Sequence, residues 1–301
     1  MRSLFVLLIL CAHVTAGVLH DLADDIKARL AQLSAPKPPV AIAVKWKPLR
    51  MTPALELGAP LLAMTAADLD GDGKAELYAV TTQEVIAFGV IDHRVKELAR
   101  AAFGGERVMP MSRDPIGAAV VEGNVVVASS SVFQRSLKLR WDRKKLVGDI
   151  GEVGMVVCPG ERAVATRNFY GDEKTGFYGA RCREIVGADG VAKPVRAQLL
   201  LTGRLEVGGF AIPHAGHAFD IGDLDRDGKA EIVFASANAP GDPDELRAVT
   251  IGDDEKRSKW RKSFTAGGVA AVAVGDFDGT PAVIAAVRLV GATRIDLWRM
   301  N

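Results

Sequence analysis

The chain has 301 residues, 49% of them hydrophobic and 25% charged, with 31 Gly and 14 Pro. These fractions exclude a disordered, collagen-like or disulfide-dense chain. A formal net charge of +1 excludes a global pull towards nucleic acid or an acidic membrane surface. With only 6% aromatic residues, the core is expected to be mainly Val, Ala, Ile and Leu.

Residues 1–16 read as an export signal. Met1-Arg2-Ser3 carries one positive charge, an apolar run fills positions 4–11, and Val14-Thr15-Ala16 offers the short residues a signal peptidase reads. The run is too short for a stable bilayer anchor, so no transmembrane segment is expected in the mature chain. Leu10 precedes Cys11 where lipoprotein processing wants a small residue. The expected location is secreted, periplasmic or cell-surface. Cleavage after Ala16 removes Cys11 and leaves Cys158 and Cys182. In an oxidising compartment a Cys158–Cys182 disulfide is the default expectation, worth about 3 kcal/mol for a loop of this length. Two buried free thiols are the alternative.

Residues 17–39 read as a short amphipathic α-helix and a proline linker. Leu19, Leu22, Ala23, Ile26, Leu30 and Leu33 recur at spacings of three and four, on one helical stripe. Pro36, Pro38 and Pro39 cannot continue that helix. The stripe either packs on its own domain or docks an envelope partner.

From residue 40 to 301 the texture changes. Short Val/Ala/Ile/Leu runs at 40–44, 77–81, 125–128, 164–166, 198–201, 232–235 and 283–287 alternate with Gly, Asp, Asn and Pro clusters. That pattern predicts an all-β domain of short strands and turns. Two segments are nearly identical. Residues 68–76 read DLDGDGKAE and residues 223–231 read DLDRDGKAE, each followed by a strand-like run. A weaker third copy at 274–287 keeps Asp276, Asp278 and Gly279. The starts fit a period of about 52 residues, with intervening units near 117–129 and 154–166 and a long insertion or divergent unit over 170–207. Such a period of pure strand predicts a β-propeller of about five, or six, four-stranded blades. Residues 40–46 and 293–298 are the expected pair that closes the ring.

The acidic loops predict metal binding. Asp68, Asp70 and Asp72 stand at loop positions 1, 3 and 5, Gly73 at the turn position 6, Lys74 at 7 with its backbone carbonyl, and Glu76 at 9. Asp223, Asp225, Asp227, Gly228, Lys229 (backbone carbonyl) and Glu231 repeat the arrangement. Four carboxylates in nine residues repel unless a cation lies among them, and a hard oxygen cage suits Ca²⁺. An EF-hand needs Glu at position 12 and a following helix, but position 12 is Ala79 or Phe234 and strand formers follow. An ion-free acidic turn is the alternative at each loop. The third copy lacks the ligand positions and is expected to bind no calcium.

Small apolar residues, then D-x-D-x-D-G-x-x-[DE], then a strand: this pattern resembles the FG-GAP/VCBS repeat of integrin-α-type β-propellers. The resemblance implies two structural Ca²⁺ ions held in β-hairpin loops. It does not carry over integrin ligand recognition, because seven blades would leave too few residues for each.

Other signals are weaker. His214 and His217 form H-x-x-H, a poor metal signal alone. Trp141 and Trp260 lie in the basic stretches RWDRKK and KRSKWRK, and Trp46 and Trp298 have basic neighbours. These read either as anionic-polymer contacts or, in preference, as guarded outer strands. No hydrolase, Walker or dinucleotide-binding motif is present in the sequence. The reading is an exported, calcium-stabilised β-propeller, a non-catalytic binding, adhesion or envelope-assembly module for a protein or polysaccharide, with no nucleic-acid partner. The rivals are a lyase-like, polysaccharide-acting enzyme and a structural envelope protein docked through its N-terminal helix.

Overall fold

A computed structural model describes residues 39–301, apart from 92–93, 110–113, 143–144, 165–167, 239–241, 253–258, 266 and 290–292. The expected export signal and the amphipathic helix lie outside the described residues. The apolar runs punctuated by turn residues become strands, and the strands form antiparallel four-stranded meanders. Blade one contains β2 (Leu61–Ala67), β3 (Glu76–Thr81), β4 (Glu84–Ile91) and β5 (Arg94–Ala102). Blade two contains β6 (Gly117–Glu122), β7 (Val125–Ser130), β8 (Arg135–Asp142) and β9 (Lys145–Val153). Blade three contains β12 (Phe177–Val186), β13 (Ala192–Leu200), β14 (Leu205–Val207) and β15 (Phe210–Ile212). Blade four contains β16 (Ala215–Gly222), β17 (Glu231–Ser236), β18 (Asp244–Thr250) and β19 (Trp260–Phe264). Blade five contains β20 (Val269–Phe277), β21 (Thr280–Arg288), β22 (Arg294–Met300) and the N-terminal β1 (Pro48–Glu56). The molecule is a five-bladed β-propeller.

The alternation of side chains along each inner strand builds the core. In β2, Ala63 faces blade two and Met64 faces blade five; in β16, Ala218 faces blade five and Phe219 faces blade three. Five apolar clusters result, one between each pair of adjacent blades. Small residues let the inner strands approach closely: a Cβ on Gly275 would lie 2.5 Å from the Cβ of Ala66. This explains a core rich in alanine and poor in aromatics.

Three details depart from the sequence reading. The closing strand is not 40–46. Trp46 has φ of 51°, a value that an extended run cannot hold, so pairing with β22 begins at Pro48, opposite Met300. The runs at 154–166 form only a short hairpin, β10 (Met155–Cys158) with β11 (Glu161–Ala163), set between blades two and three. The stretch 170–207 contributes most of blade three, a divergent unit rather than an insertion. Cys158 and Cys182 are joined, with Cα atoms 5.5 Å apart, and tie that hairpin to the innermost strand of blade three.

One side chain crosses the ring centre. The Arg183 guanidinium on β12 donates to Thr65 Oγ1 and the Ala66 carbonyl of blade one, to Asp220 Oδ2 of blade four and to the Val274 carbonyl of blade five, at 3.1–3.3 Å. Asp220 is buried and also accepts the Val274 N–H at 2.8 Å.

Candidate metal sites

The β2–β3, β16–β17 and β20–β21 loops each join an innermost strand to the next strand outward, so all three lie at one end of the ring. The first two carry the acidic repeat, and both are followed by strands, as the non-EF-hand reading requires.

The first loop wraps around its own backbone. Asp68 accepts the N–H groups of Gly71 at 2.8 Å and Gly73 at 2.9 Å. Asp70 accepts the Asp72 N–H at 3.1 Å, and Asp72 accepts the Lys74 N–H at 2.8 Å. Gly71 and Gly73 have φ of 78° and 86°, a region that favours glycine. The outcome is convergence: carboxylate oxygens of Asp68, Asp70, Asp72 and Glu76 lie within 4.8 Å of one another. Two oxygens bound to one Ca²⁺ at about 2.3–2.6 Å can be no more than about 5 Å apart, so this set fits the ion.

Glu76 is the buried member. Its Oε2 accepts the Leu69 N–H at 3.2 Å and the Tyr78 O–H at 3.0 Å, while the Trp141 indole N–H of blade two donates to Tyr78 Oη at 2.8 Å. Burial first, then the charges of Asp70 and Asp68, push the Glu76 carboxyl up to about 7, against the pull of its two hydrogen bonds. A cation among these four groups would reverse that shift. The sequence pattern marks Trp141 only as an anionic-polymer contact or a guarded outer strand, and does not mark Tyr78. Tyr78 follows Glu76 by two residues, on the same face of β3, and that spacing was its only signal.

The second loop has the same frame. Asp223 accepts the N–H groups of Asp227 at 3.1 Å and Gly228 at 2.9 Å, Asp227 accepts that of Lys229 at 2.8 Å, and Glu231 accepts that of Leu224 at 2.9 Å. Oxygens of Asp223, Asp225 and Asp227 converge within 4.8 Å, but Glu231 does not join that group. Instead the Lys259 ammonium lies 2.7 Å from Asp225 Oδ2 and 2.9 Å from Glu231 Oε1. Thr250 Oγ1 donates to the same Glu231 oxygen at 3.3 Å. Burial raises the Glu231 and Asp223 carboxyls. Burial also works to lower Lys259, but its hydrogen bonds with Asp225 and Glu231 outweigh this and raise it. Lys259 belongs to the basic stretch that the sequence reading assigned to edge protection.

The third copy is a two-residue turn, with Asp278 at φ 54° and Gly279 at φ 75°, the geometry of a tight β-hairpin. Asp276 pairs with Arg226 of the second loop, and Asp278 pairs with Arg299 at 2.9 Å. Among the described residues the groups able to gather three or more metal-ligating side chains are the two acidic loops, so His214 and His217 join none. The tryptophans pack within the fold: Trp260 stacks on Trp46 at 5.8 Å, and Lys262 lies 5.0 Å above the Trp298 ring. Among the described residues no helix is long and apolar enough to cross a membrane.

No family model matches this chain, and no curated protein matches it. Among solved structures the chain is similar to "BBS1N in complex with ARL6DN, soaked with lead", at 9% identity and a TM-score of 0.36, covering 86% of this chain and 97% of that one. It is also similar to the S. cerevisiae core factor, at 9% identity and a TM-score of 0.35, covering 82% of this chain and 48% of that one. This chain thus spans about half the length of the second. The strand pairing described above is what establishes the five-bladed architecture.

Proposed function

We propose that this chain is an exported β-propeller of the FG-GAP/VCBS kind, in which the first acidic loop holds a structural Ca²⁺. In this reading the propeller is a non-catalytic module that binds a protein or polysaccharide ligand or assists envelope assembly. The observation that carries the calcium reading is the convergence of Asp68, Asp70, Asp72 and Glu76 within 4.8 Å with no cationic side chain among them in the described residues. Bound there, Ca²⁺ would neutralise the carboxylates and stiffen the β2–β3 hairpin. Asp68 and Asp72 are oriented by loop N–H groups, and Glu76 by Leu69 and Tyr78.

Two further features support the reading. The Cys158–Cys182 disulfide suits an oxidising compartment. Near the axis, Arg183 and Asp220 are bonded to each other and to neighbouring blades, a structural employment that favours binding over catalysis.

The calcium reading is tested by thermal melting with and without a chelator. A ligand that binds only the folded state at 100 times its Kd adds about 2.7 kcal/mol, so chelation is expected to lower Tm by several degrees. An unchanged melting curve, with no calcium in elemental analysis, overturns it. Export is checked by mass spectrometry of the mature N-terminus, expected at Gly17. Capture of a partner from an envelope fraction that a chelator abolishes would tie the ion to binding.

A further inference from the structure

Lys259 stands immediately before β19 and reaches back over the β16–β17 loop. Its Nζ is 2.7 Å from Asp225 Oδ2, 2.9 Å from Glu231 Oε1 and 3.9 Å from Asp227 Oδ2. These carboxylates are loop positions 3, 9 and 5, the counterparts of Asp70, Glu76 and Asp72. The ammonium therefore touches, from outside the loop, the carboxylates that a cation bound in the loop would use. We infer that Lys259 is a built-in replacement for the metal ion: its ammonium fills the cation position of the second loop, which takes no divalent cation in the intact protein and becomes a calcium site when the amine is removed.

Charge and space both support this. The Glu231 side chain is fully buried, and a buried carboxylate without a partner is strongly disfavoured. Lys259 supplies that partner, with donor–acceptor distances typical of charge-assisted hydrogen bonds. A Ca²⁺ ion needs the same oxygens at about 2.3–2.6 Å, so ion and ammonium cannot share them. The tether is also held in place. Trp260, the next residue, stacks on Trp46, and the Ile42 N–H donates to the Asp225 carbonyl at 2.7 Å. The loop also carries a cation of its own, directed away from its carboxylates: Arg226, where the first loop has Gly71, pairs with Asp276 of blade five. One ligand atom remains in reserve, because Asp225 Oδ1 is buried and has no hydrogen-bond partner among the described residues.

The inference goes beyond the reading of the first loop and is tested separately from it. Calcium alone is titrated calorimetrically into metal-stripped wild type, Lys259→Met, which keeps most of the aliphatic stem, and Asp225→Asn. Lys259→Met is expected to take up one calcium equivalent more than wild type, and Asp225→Asn the same number as wild type. Equal uptake by Lys259→Met and wild type overturns the inference, as does an equivalent lost in Asp225→Asn. If Lys259→Met does not fold, the Asp225→Asn comparison decides. Failure of the first-loop reading shows elsewhere, as calcium uptake unchanged by Asp70→Asn, because the Lys259 test is a difference between two proteins.

Discussion

The two acidic loops share eight of nine residues and nearly the same backbone hydrogen bonds, yet they meet their negative charge in different ways. In the first, four carboxylates converge, and the buried one is held by Leu69 and Tyr78. In the second, three converge, and the fourth turns to an ammonium delivered from the outer edge of the same blade. The nine-residue motif thus determines the hairpin and the direction of its carboxylates. It does not determine what neutralises them. In the second loop it is an ammonium that reaches in from the outer edge of the blade; in the first no cationic side chain among the described residues takes that place, and the uncharged Tyr78–Trp141 pair holds Glu76 by a hydrogen bond only. A repeat can keep its ligand pattern while a neighbour takes over the work of the metal.

The largest expected difference between the loops appears without any metal. Lys259→Met leaves Glu231 and Asp225 without their cation, and stripping one partner from a buried pair costs about 3 kcal/mol. In chelator, urea denaturation is expected to show that loss, while Asp70→Asn, which relieves repulsion in an ion-free loop, shows none. Calcium should restore most of the Lys259→Met loss. Next in size is the chelator effect on wild type, about 2.7 kcal/mol at saturating calcium. Calorimetric melting should show it abolished by Asp70→Asn and kept by Asp225→Asn.

A third difference is linked to pH. The Glu76 carboxyl is pushed up to about 7 from an ordinary value of 4.5. The metal-free folded state therefore holds this proton more tightly than the unfolded chain. Its stabilising contribution is complete below about pH 4.5 and is lost as the pH rises through about 7. Calcium needs the ionised form, so its affinity is expected to rise about tenfold, or about 1.4 kcal/mol, between pH 6 and pH 8 and to level off above. Titrations in buffers of different ionisation enthalpy should show proton release at pH 6.5 from the first loop alone. The smallest effect is Tyr78→Phe, which removes one hydrogen bond to Glu76 and one from Trp141. A loss of about 1 kcal/mol is expected, read as a several-fold weaker calcium affinity. The second loop has Val233 at this position, so Val233→Ala should leave calcium uptake unchanged.

Much of this was legible in the sequence because it is local. The repeat announced the hairpins, the aspartate spacing announced the converging oxygens, and Gly73 announced the positive φ of the turn. What was hidden depends on contacts between residues far apart in the chain. Lys259 follows Glu231 by a whole outer hairpin, and within KRSKWRK nothing separates it from its basic neighbours. Trp141 reaches Tyr78 from the next blade. Blade three carries no acidic loop, and two of its strands have only three residues each, so no periodic signal marked it. Residues 40–46 read as the closing strand because Val40, Ile42 and Val44 alternate like a strand, whereas the chain turns at positive φ at Trp46, whose ring stacks on the distant Trp260.

The closure of the ring has a temporal side. Strand β1 is the first strand of the described chain to be synthesised, and its sheet neighbour β22 is the last. Until residues 294–300 emerge, β1 has no native strand to pair with, and every blade-to-blade interface involving blade five is incomplete. Pairing between such distant segments slows folding and leaves a reactive edge open in the meantime. A chain that leaves the ribosome or threads a translocon from its N-terminus would carry that unpaired edge until β22 has followed. The clasp that closes the finished ring thus leaves an edge exposed in the nascent chain, and deleting residues 294–301, which removes β22, should prevent closure.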